Sequence, residues 1–304
     1  MKVLIIGLGS IAHKHIVSLK TVDPDCEIYA LRSNQSSPMV EGVINCYSLS
    51  EMPSDLGFII ISNPTSMHLQ TIKEVVHFGV PLFIEKPPID NLEDAKEVLQ
   101  LVDKLDLPTY TAFNLRFHPV VQWLKENIDS HRITEINAYC GSYLPDWRPK
   151  QDYRQVYSAR EELGGGVHLD LTHEIDYLLW ILGYPISTKS IKRKLSDLEI
   201  NSVDSAKYWM EYESFTVNLT LNYFRRDSKR VIEVVTSETT LACDLISNTV
   251  KDLCTAKVVF KNESITNIYT YEKQMKYFID CIERKTQPMN SLADSMRTME
   301  VCLK

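Results

Sequence analysis

The chain has 304 residues, 44% hydrophobic and 24% charged, which is the make-up of an ordinary globular protein long enough to bury two cores. A formal net charge of −7 argues against nucleic acid or an anionic membrane as the main partner, and no apolar run reaches the roughly 18 residues that a spanning helix needs. The seven cysteines, Cys26, Cys46, Cys140, Cys243, Cys254, Cys281 and Cys302, are scattered and lack CxxC spacing, so a disulfide framework and a zinc site are not expected and a reducing cytoplasm is.

Met1 to Ile6 superficially resembles a secretion signal, but glycines interrupt the apolar run and no small-residue cleavage site follows. Asn218-Leu219-Thr220 and Asn262-Glu263-Ser264 fit the glycosylation pattern as chance matches. Lys2 to Ile6 is read instead as a strand leading into Gly7-Leu8-Gly9-Ser10-Ile11-Ala12 and a helix to Leu19. This is the G-x-G-x-x-A fingerprint in the context it requires. Gly7 permits the tight turn and Gly9 a close approach of backbone to a pyrophosphate. The helix start at Ser10 and Ile11 supplies amide donors, and Ala12 keeps helix and strand close.

The second strand, Glu27 to Leu31, ends in Arg32-Ser33-Asn34, without the carboxylate that would accept from a ribose 2′-hydroxyl. Arg32 suits a 2′-phosphate or the adenine face and Ser33 suits the same phosphate, which favours NADP over NAD; a solvated Arg32 with either cofactor accepted is the alternative. Gly57 to Ser62 is an apolar strand followed by Asn63-Pro64-Thr65-Ser66-Met67-His68 and a helix from His68 to Phe78. Leu82-Phe83-Ile84 is a further strand, stopped by Glu85-Lys86-Pro87-Pro88, which places Lys86 at a strand's carboxyl end. A helix from Asp90 to Leu105, capped by Asn91 or Asp90, and a strand from Pro108 to Phe113 complete an alternation that calls for a doubly wound parallel sheet.

Beyond the junction Asn114-Leu115-Arg116-Phe117-His118-Pro119 lie a helix from Val120 to Asp129 and a strand from Ile133 to Tyr143. The loop from Asp146 to Arg154 is rich in aromatic and basic residues; Trp147, Tyr153 and Arg154 are the side chains suited to a sugar ring and its anionic substituents. Gly164-Gly165-Gly166 then opens Val167-His168-Leu169-Asp170-Leu171-Thr172-His173-Glu174-Ile175-Asp176. Asp170 and His173, like His173 and Asp176, are three apart, a spacing that shares one helix face. After Pro185 the period changes to two, cleanest from Phe215 to Tyr223, with strands also at Ala206–Tyr212, Arg230–Thr236, Thr239–Leu245 and Lys257–Lys261. Arg225-Arg226-Asp227 reads as a solvated turn, and Met275, Phe278, Ile279 and Ile282 mark a closing helix. A last helix starts at Asn290.

Four segments, in order, resemble the family of glucose–fructose oxidoreductase, inositol 2-dehydrogenase and the rhizopine protein MocA: Gly7 to Ala12, Asn63 to His68, Glu85-Lys86-Pro87, and the glycines leading to Asp170 and His173. The resemblance implies a Rossmann dinucleotide-binding domain over 1–114. It implies an α+β domain with a large, mostly antiparallel sheet over 115–304, for substrate binding and oligomerisation as a homodimer or homotetramer. It implies cofactor contacts at Asn63, Pro64, Thr65, His68, Glu85 and Asn114, besides Gly7, Gly9, Ser10, Ile11, Arg32 and Ser33. Lys86 is implied to meet both substrate and nicotinamide ribose, with Arg116 and His168 among the substrate contacts. The last helix stops early compared with such relatives, and the acid and histidine are separated here by one residue fewer, so the gap falls between Asp170 and His173.

Oxidising a secondary alcohol requires a proton to leave the hydroxyl as hydride departs. An amine beside a cationic nicotinamide ring gives up its proton more readily, which suits that exchange near neutral pH. The expected reading is therefore an NAD(P)-dependent oxidoreductase of a sugar's secondary alcohol or ketone, with Lys86, His173 and Asp170 as the catalytic set and no metal. The segment from Asp170 to Leu178 and the Tyr143-to-Pro149 segment resemble members that accompany bacterial surface-sugar biosynthesis, which suggests a nucleotide-activated or nonulosonate sugar. A catabolic dehydrogenase of a free sugar or inositol, and a non-catalytic cofactor-binding regulator, are the alternatives.

Overall fold

The structure is a computed structural model that describes every residue except Leu105, and so the expected helix end at that position lies outside the described residues. In chain order the elements are β1 (Lys2–Ile6), α1 (Ser10–Val22), β2 (Glu27–Leu31), β3 (Val43–Cys46), β4 (Phe58–Ile61), α2 (His68–Val75), β5 (Leu82–Ile84), α3 (Glu93–Asp103) and β6 (Thr109–Thr111). Then come α4 (Pro119–Asn127), β7 (Ile133–Tyr143), α5 (Val167–Asp170), α6 (Thr172–Leu182), β8 (Ser187–Arg193), β9 (Ser205–Glu211), β10 (Thr216–Asn222), β11 (Phe224–Thr236), β12 (Thr240–Asp244), β13 (Thr249–Asp252), β14 (Val258–Lys261), α7 (Tyr269–Arg284) and α8 (Leu292–Leu303). Among the described residues no helix is long and apolar enough to cross a membrane.

Two compact units emerge: Met1–Asn114 with Thr266–Met299, and Leu115–Ile265 with Glu300–Lys304. The return of Thr266–Met299 to the first unit differs from the expected division, which kept everything after residue 114 together. Its cause is the apolar stripe of α7. Met275, Phe278 and Ile279 are buried in the same core as Phe58, Phe83 and Tyr110, with Phe278 ring centroids 5.2 Å from Phe58 and 5.4 Å from Phe83. Aromatic packing of this kind outweighs proximity in sequence.

The first unit holds a six-stranded sheet in the order β3-β2-β1-β4-β5-β6, every pair parallel. Helices cover both faces of such a sheet, so its central strands are apolar throughout; Phe58-Ile59-Ile60-Ile61 is wholly buried. β3 was not anticipated, and α3 begins at Glu93 because the Asn91 carboxamide oxygen accepts from the Glu93 and Asp94 amides, 3.1 Å each. α2 ends at Val75, and a 3₁₀ turn carries the chain to Phe78.

The second unit holds an eight-stranded sheet in the order β14-β13-β12-β11-β7-β10-β9-β8, antiparallel except where β10 pairs with β7. One face is covered: Leu124 of α4 and Leu178 of α6 line a common apolar space with Ile136, Ile232 and Val234. β8 and β13 were not anticipated. Arg225-Arg226-Asp227 lies within β11, where the register against β7 shifts between Phe224 and Lys229, rather than in a free turn. Arg225 lies over the Tyr139 ring and Arg226 over Tyr143, at 4.9 and 3.6 Å, and Arg225 also pairs with Asp227 at 2.6 Å, so rings of β7 and a carboxylate of β11 hold the two arginines along the strand.

Candidate active site

Gly7, Arg32, Asn63 and Lys86 all follow the carboxyl ends of neighbouring parallel strands, with β1 and β4 in register through Ile6 and Ile61, and β4 and β5 through Ile61 and Ile84. The strand order reverses between β1 and β4, where an open sheet of this kind leaves a crevice for ligand. Gly7 has φ +91, and a Cβ there would lie 2.3 Å from the Asn63 backbone nitrogen, so no other residue fits. A Cβ on Gly9 would meet nothing within 4 Å. Space therefore stands open at the start of α1, where no side chain caps the helix, no acid lies in the first turn, and Ser10 and Ile11 begin a row of amides with no helical acceptor. Charge and shape alike fit the pyrophosphate of a dinucleotide.

The loop after β4 supports that crevice. Ser62 Oγ donates to the Gly7 carbonyl at 2.8 Å, and Asn63 Nδ2 to Thr71 Oγ1 at 2.7 Å, which leaves the buried Asn63 Oδ1 without a partner among the described residues. Pro64 is exposed and Thr65 buried. His68, expected at the cofactor, is buried with Nε2 3.0 Å from the Asn63 carbonyl and Nδ1 3.2 Å from that of Pro88. Burial pushes its pKa down, against the two carbonyls. Its place is between the loops after β4 and β5, tying one to the other. Asn114 donates to Thr270 Oγ1 at 2.7 Å and so anchors the first turn of α7.

After β5, Glu85 is buried and engaged on both oxygens: Oε1 lies 2.6 Å from His15 Nε2, and Oε2 accepts from the Lys86 amide at 3.0 Å. The peptide between Lys86 and Pro87 is cis, and the Lys86 side chain is half-buried. At the end of β2, Arg32 donates to Asn45 Oδ1 and to the Pro38 carbonyl, 3.1 Å each, while Ser33 is exposed.

In the second unit the glycines let the chain fold on itself. Gly164 and Gly166 have φ of +79 and +141, and a Cβ on Gly165 would lie 2.2 Å from the Tyr157 carbonyl oxygen. Asp170 closes α5, Leu171 (φ −98, ψ 28) breaks the helix, and His173 stands half-buried in the first turn of α6. Asp170 and His173 therefore belong to two helical segments rather than one face, as Thr172 Oγ1 turns back to the His168 and Leu169 carbonyls. The hydroxyls of Tyr157 and Tyr223 both donate to Asp170. Burial, and then the Asp170 charge, hold both phenols well above their usual pKa, so they stay donors. Neither tyrosine was singled out from the sequence, since nothing in their spacing marks them.

The remaining expected substrate contacts divide. Arg116 is buried and bidentate to Asp176, Nε to Oδ2 at 2.8 Å and Nη2 to Oδ1 at 2.7 Å, so an anionic substrate would have to displace a protein carboxylate. Arg154 is exposed between Asp152 and Glu199, and Tyr153 Oη accepts from the Glu199 amide. Trp147 donates to Ser142 Oγ at 2.7 Å and sets its ring perpendicular to Tyr223, 5.3 Å between centroids. His168 is half-buried, with Nδ1 unpartnered among the described residues. Burial and Lys192 push its pKa down to about 4.

His118, whose Nδ1 accepts from Val120 N and caps α4, is likewise pushed down to about 4, by burial and then by Arg230. Unfolded, such a ring takes its proton near 6.5, so these two groups contribute stability that is complete above that pH and is lost as pH falls through about 4, roughly 3 kcal/mol each. His118→Asn keeps a capping oxygen. Its urea midpoint is expected to fall distinctly less than that of the wild type between pH 7 and pH 4.5; parallel curves would remove His118 from the acid response.

A glycine turn at a strand-order reversal, with open space over a helix start, defines a dinucleotide-binding Rossmann unit, here in a chain with a second, sheet-based unit. Residues 1–113 match the model of an oxidoreductase family with an NAD-binding Rossmann fold, and residues 121–242 match the GFO/IDH/MocA C-terminal domain. The chain belongs to the Gfo/Idh/MocA family of oxidoreductases. It is 24% identical over 276 residues to the uncharacterised oxidoreductase YrbE of Bacillus subtilis, covering 85% of this chain and 78% of that one. It is 28% identical over 193 residues to a myo-inositol 2-dehydrogenase of Thermotoga maritima, covering 60% of this chain and 55% of that one. The structure of UDP-N-acetylglucosamine 3-dehydrogenase GnnA from Acidithiobacillus ferrooxidans superposes with a TM-score of 0.80 at 16% identity, covering 100% of this chain and 95% of that one. Among the described residues no group of three or more His, Cys, Asp or Glu side chains is arranged to hold a metal ion.

Proposed function

We propose that the protein catalyses reversible hydride transfer between a nicotinamide dinucleotide and a secondary alcohol or ketone of a sugar. The open helix start beside Gly7 and Gly9, with Lys86 two strands away at the same carboxyl edge of the sheet, carries this reading. The dinucleotide accepts or donates the hydride. Gly7, Gly9, Ser10 and Ile11 hold its pyrophosphate, with Asn63, Pro64 and Thr65 along the loop after β4. Glu85 fixes the main chain at Lys86, whose amine meets the nicotinamide ribose and the reacting hydroxyl. Lys86 in the first unit and His173 in the second are the two candidates for proton transfer in this reading, one as acid and base, the other orienting. Asp170, which already accepts from two phenols, anchors the segment before His173 rather than taking the proton.

The substrate we favour is a nucleotide-activated or nonulosonate sugar. Trp147 offers a ring face, and Arg148 follows it in the same loop. The likeness to an inositol dehydrogenase supports a second reading, a free sugar or polyol. Screening UDP-sugars, CMP-nonulosonates, free sugars and inositols for NAD(P)H formation separates the two. Absence of turnover with all of them, alongside tight dinucleotide binding, would point to a non-catalytic relative. The same proposal includes a homodimer or homotetramer in the cytoplasm, built through the uncovered face of the second sheet; a monomer by light scattering would refute the assembly.

NADP is the preferred cofactor in this reading. No acid follows β2, and Arg32, which donates to Asn45 Oδ1 and the Pro38 carbonyl, is the cation at that strand end that a 2′-phosphate would meet. Arg32→Ala is expected to weaken NADPH binding about tenfold and leave NADH binding within about twofold, as loss of one charge-assisted contact predicts. Equal NADPH affinity in the variant would remove the preference.

A further inference from the structure

We propose that His15 is a positioning residue for the Glu85–Lys86 pair: from the helix after the glycine turn it holds the Glu85 carboxylate, which in turn fixes the main chain of Lys86. The inference rests on the reading above, in which Lys86 meets the nicotinamide ribose. His15 is fully buried, and its Nε2 donates to Glu85 Oε1 at 2.6 Å. The other carboxylate oxygen accepts from the Lys86 amide at 3.0 Å. The imidazole is held edge-on by two rings, Phe83 of β5 with centroids 5.0 Å apart and Tyr271 of α7 at 6.0 Å.

Packing alone does not account for an imidazole here. Its Nδ1 is buried without a partner among the described residues, a desolvation cost that a leucine would avoid. What the imidazole supplies is a donor to a buried carboxylate that would otherwise stand with one oxygen unmet. That carboxylate is the one next to Lys86, so the chain accepts an unmet Nδ1 in order to hold the strand end where Lys86 begins. Lys14, whose pKa burial lowers, donates to Tyr271 at 3.4 Å and adds to the ring clamp. The helix that begins at the dinucleotide's pyrophosphate is thereby tied to the residue proposed to meet its other end.

The test is titration of the full chain with NADH and NADPH, followed by nicotinamide fluorescence, with thermal unfolding run in parallel. His15→Leu is expected to weaken binding about tenfold, and His15→Gln, whose amide reaches as far as Nε2, to stay within about threefold of wild type. Ile16→Ala, at a core position with no polar atom to hold Glu85, is expected to lose stability without losing affinity. In a Lys86→Ala background His15→Leu is expected to add little, because its effect runs through Lys86. Wild-type affinity in His15→Leu, an equal loss in Ile16→Ala, or an undiminished effect in the Lys86→Ala background each overturns the proposal. If His15→Leu does not fold, His15→Asn, too short to reach Glu85, replaces it against His15→Gln, and equal affinity of those two overturns it. Failure of the wild type to bind either dinucleotide defeats the proposed function and this inference with it; wild-type binding with an indifferent His15 defeats the inference only.

Discussion

Lys86→Ala is expected to lower sugar turnover about a hundredfold or more, the range that removal of a positioned acid–base group gives, and to move the unfolding midpoint by no more than about 2 °C. The small effect on stability follows from the half-buried side chain, whose motif neighbours keep their contacts: Glu85 still takes the residue-86 amide and still pairs with His15. His173→Ala is expected to give a loss of the same order. The two are separated by pH profile: the variant of the residue that handles the proton loses a limb of the kcat/KM curve, while the variant of the orienting residue lowers the curve and keeps its shape. If the two act as a unit, the double variant is little worse than either single one. Turnover in Lys86→Ala within a few-fold of wild type would end the proton-transfer role assigned to it.

The first unit was the more legible half of the fold, for a reason visible in its strands. β1, β4 and β5 are buried on both faces and so read as unbroken apolar runs bounded by glycine or proline. β8, Ser187-Thr188-Lys189-Ser190-Ile191-Lys192-Arg193, has no fully buried position, and β13 is only four residues long; their strand character comes from the neighbours they pair with. Arg225 and Arg226 misled because charge ordinarily marks a turn, whereas the aromatic rings that receive them lie on another strand. In the site, what is written in consecutive residues was readable: the glycine fingerprint, and Glu85-Lys86-Pro87. What arises between distant residues was not. His15 meets Glu85 across 70 positions, and Tyr223 meets Asp170 across 53. A break at one residue, Leu171, was enough to undo a helix-face argument built on spacing.

Arg116 is where motif and structure part most clearly, and a single substitution separates them. As a substrate contact it would tolerate replacement in stability and show its loss in KM. As the structure places it, its guanidinium is buried and bidentate to Asp176, which is itself only 1% exposed, and it lies over the Trp180 ring at 5.6 Å. A buried pair of this kind adds little over apolar residues of equal volume, but removing one partner strands a charge, and that costs about 3–5 kcal/mol. Arg116→Ala is therefore expected to lower the unfolding midpoint by roughly 10 °C. Because Asp176 lies one turn beyond His173 on α6, it should also lower kcat while leaving dinucleotide affinity in the first unit intact. Arg116→Met with Asp176→Leu is expected to recover most of the stability, since no charge is then left unpaired. An Arg116→Ala protein as stable as the wild type, with a raised substrate KM alone, would return the guanidinium to the substrate and make its bond to Asp176 dispensable.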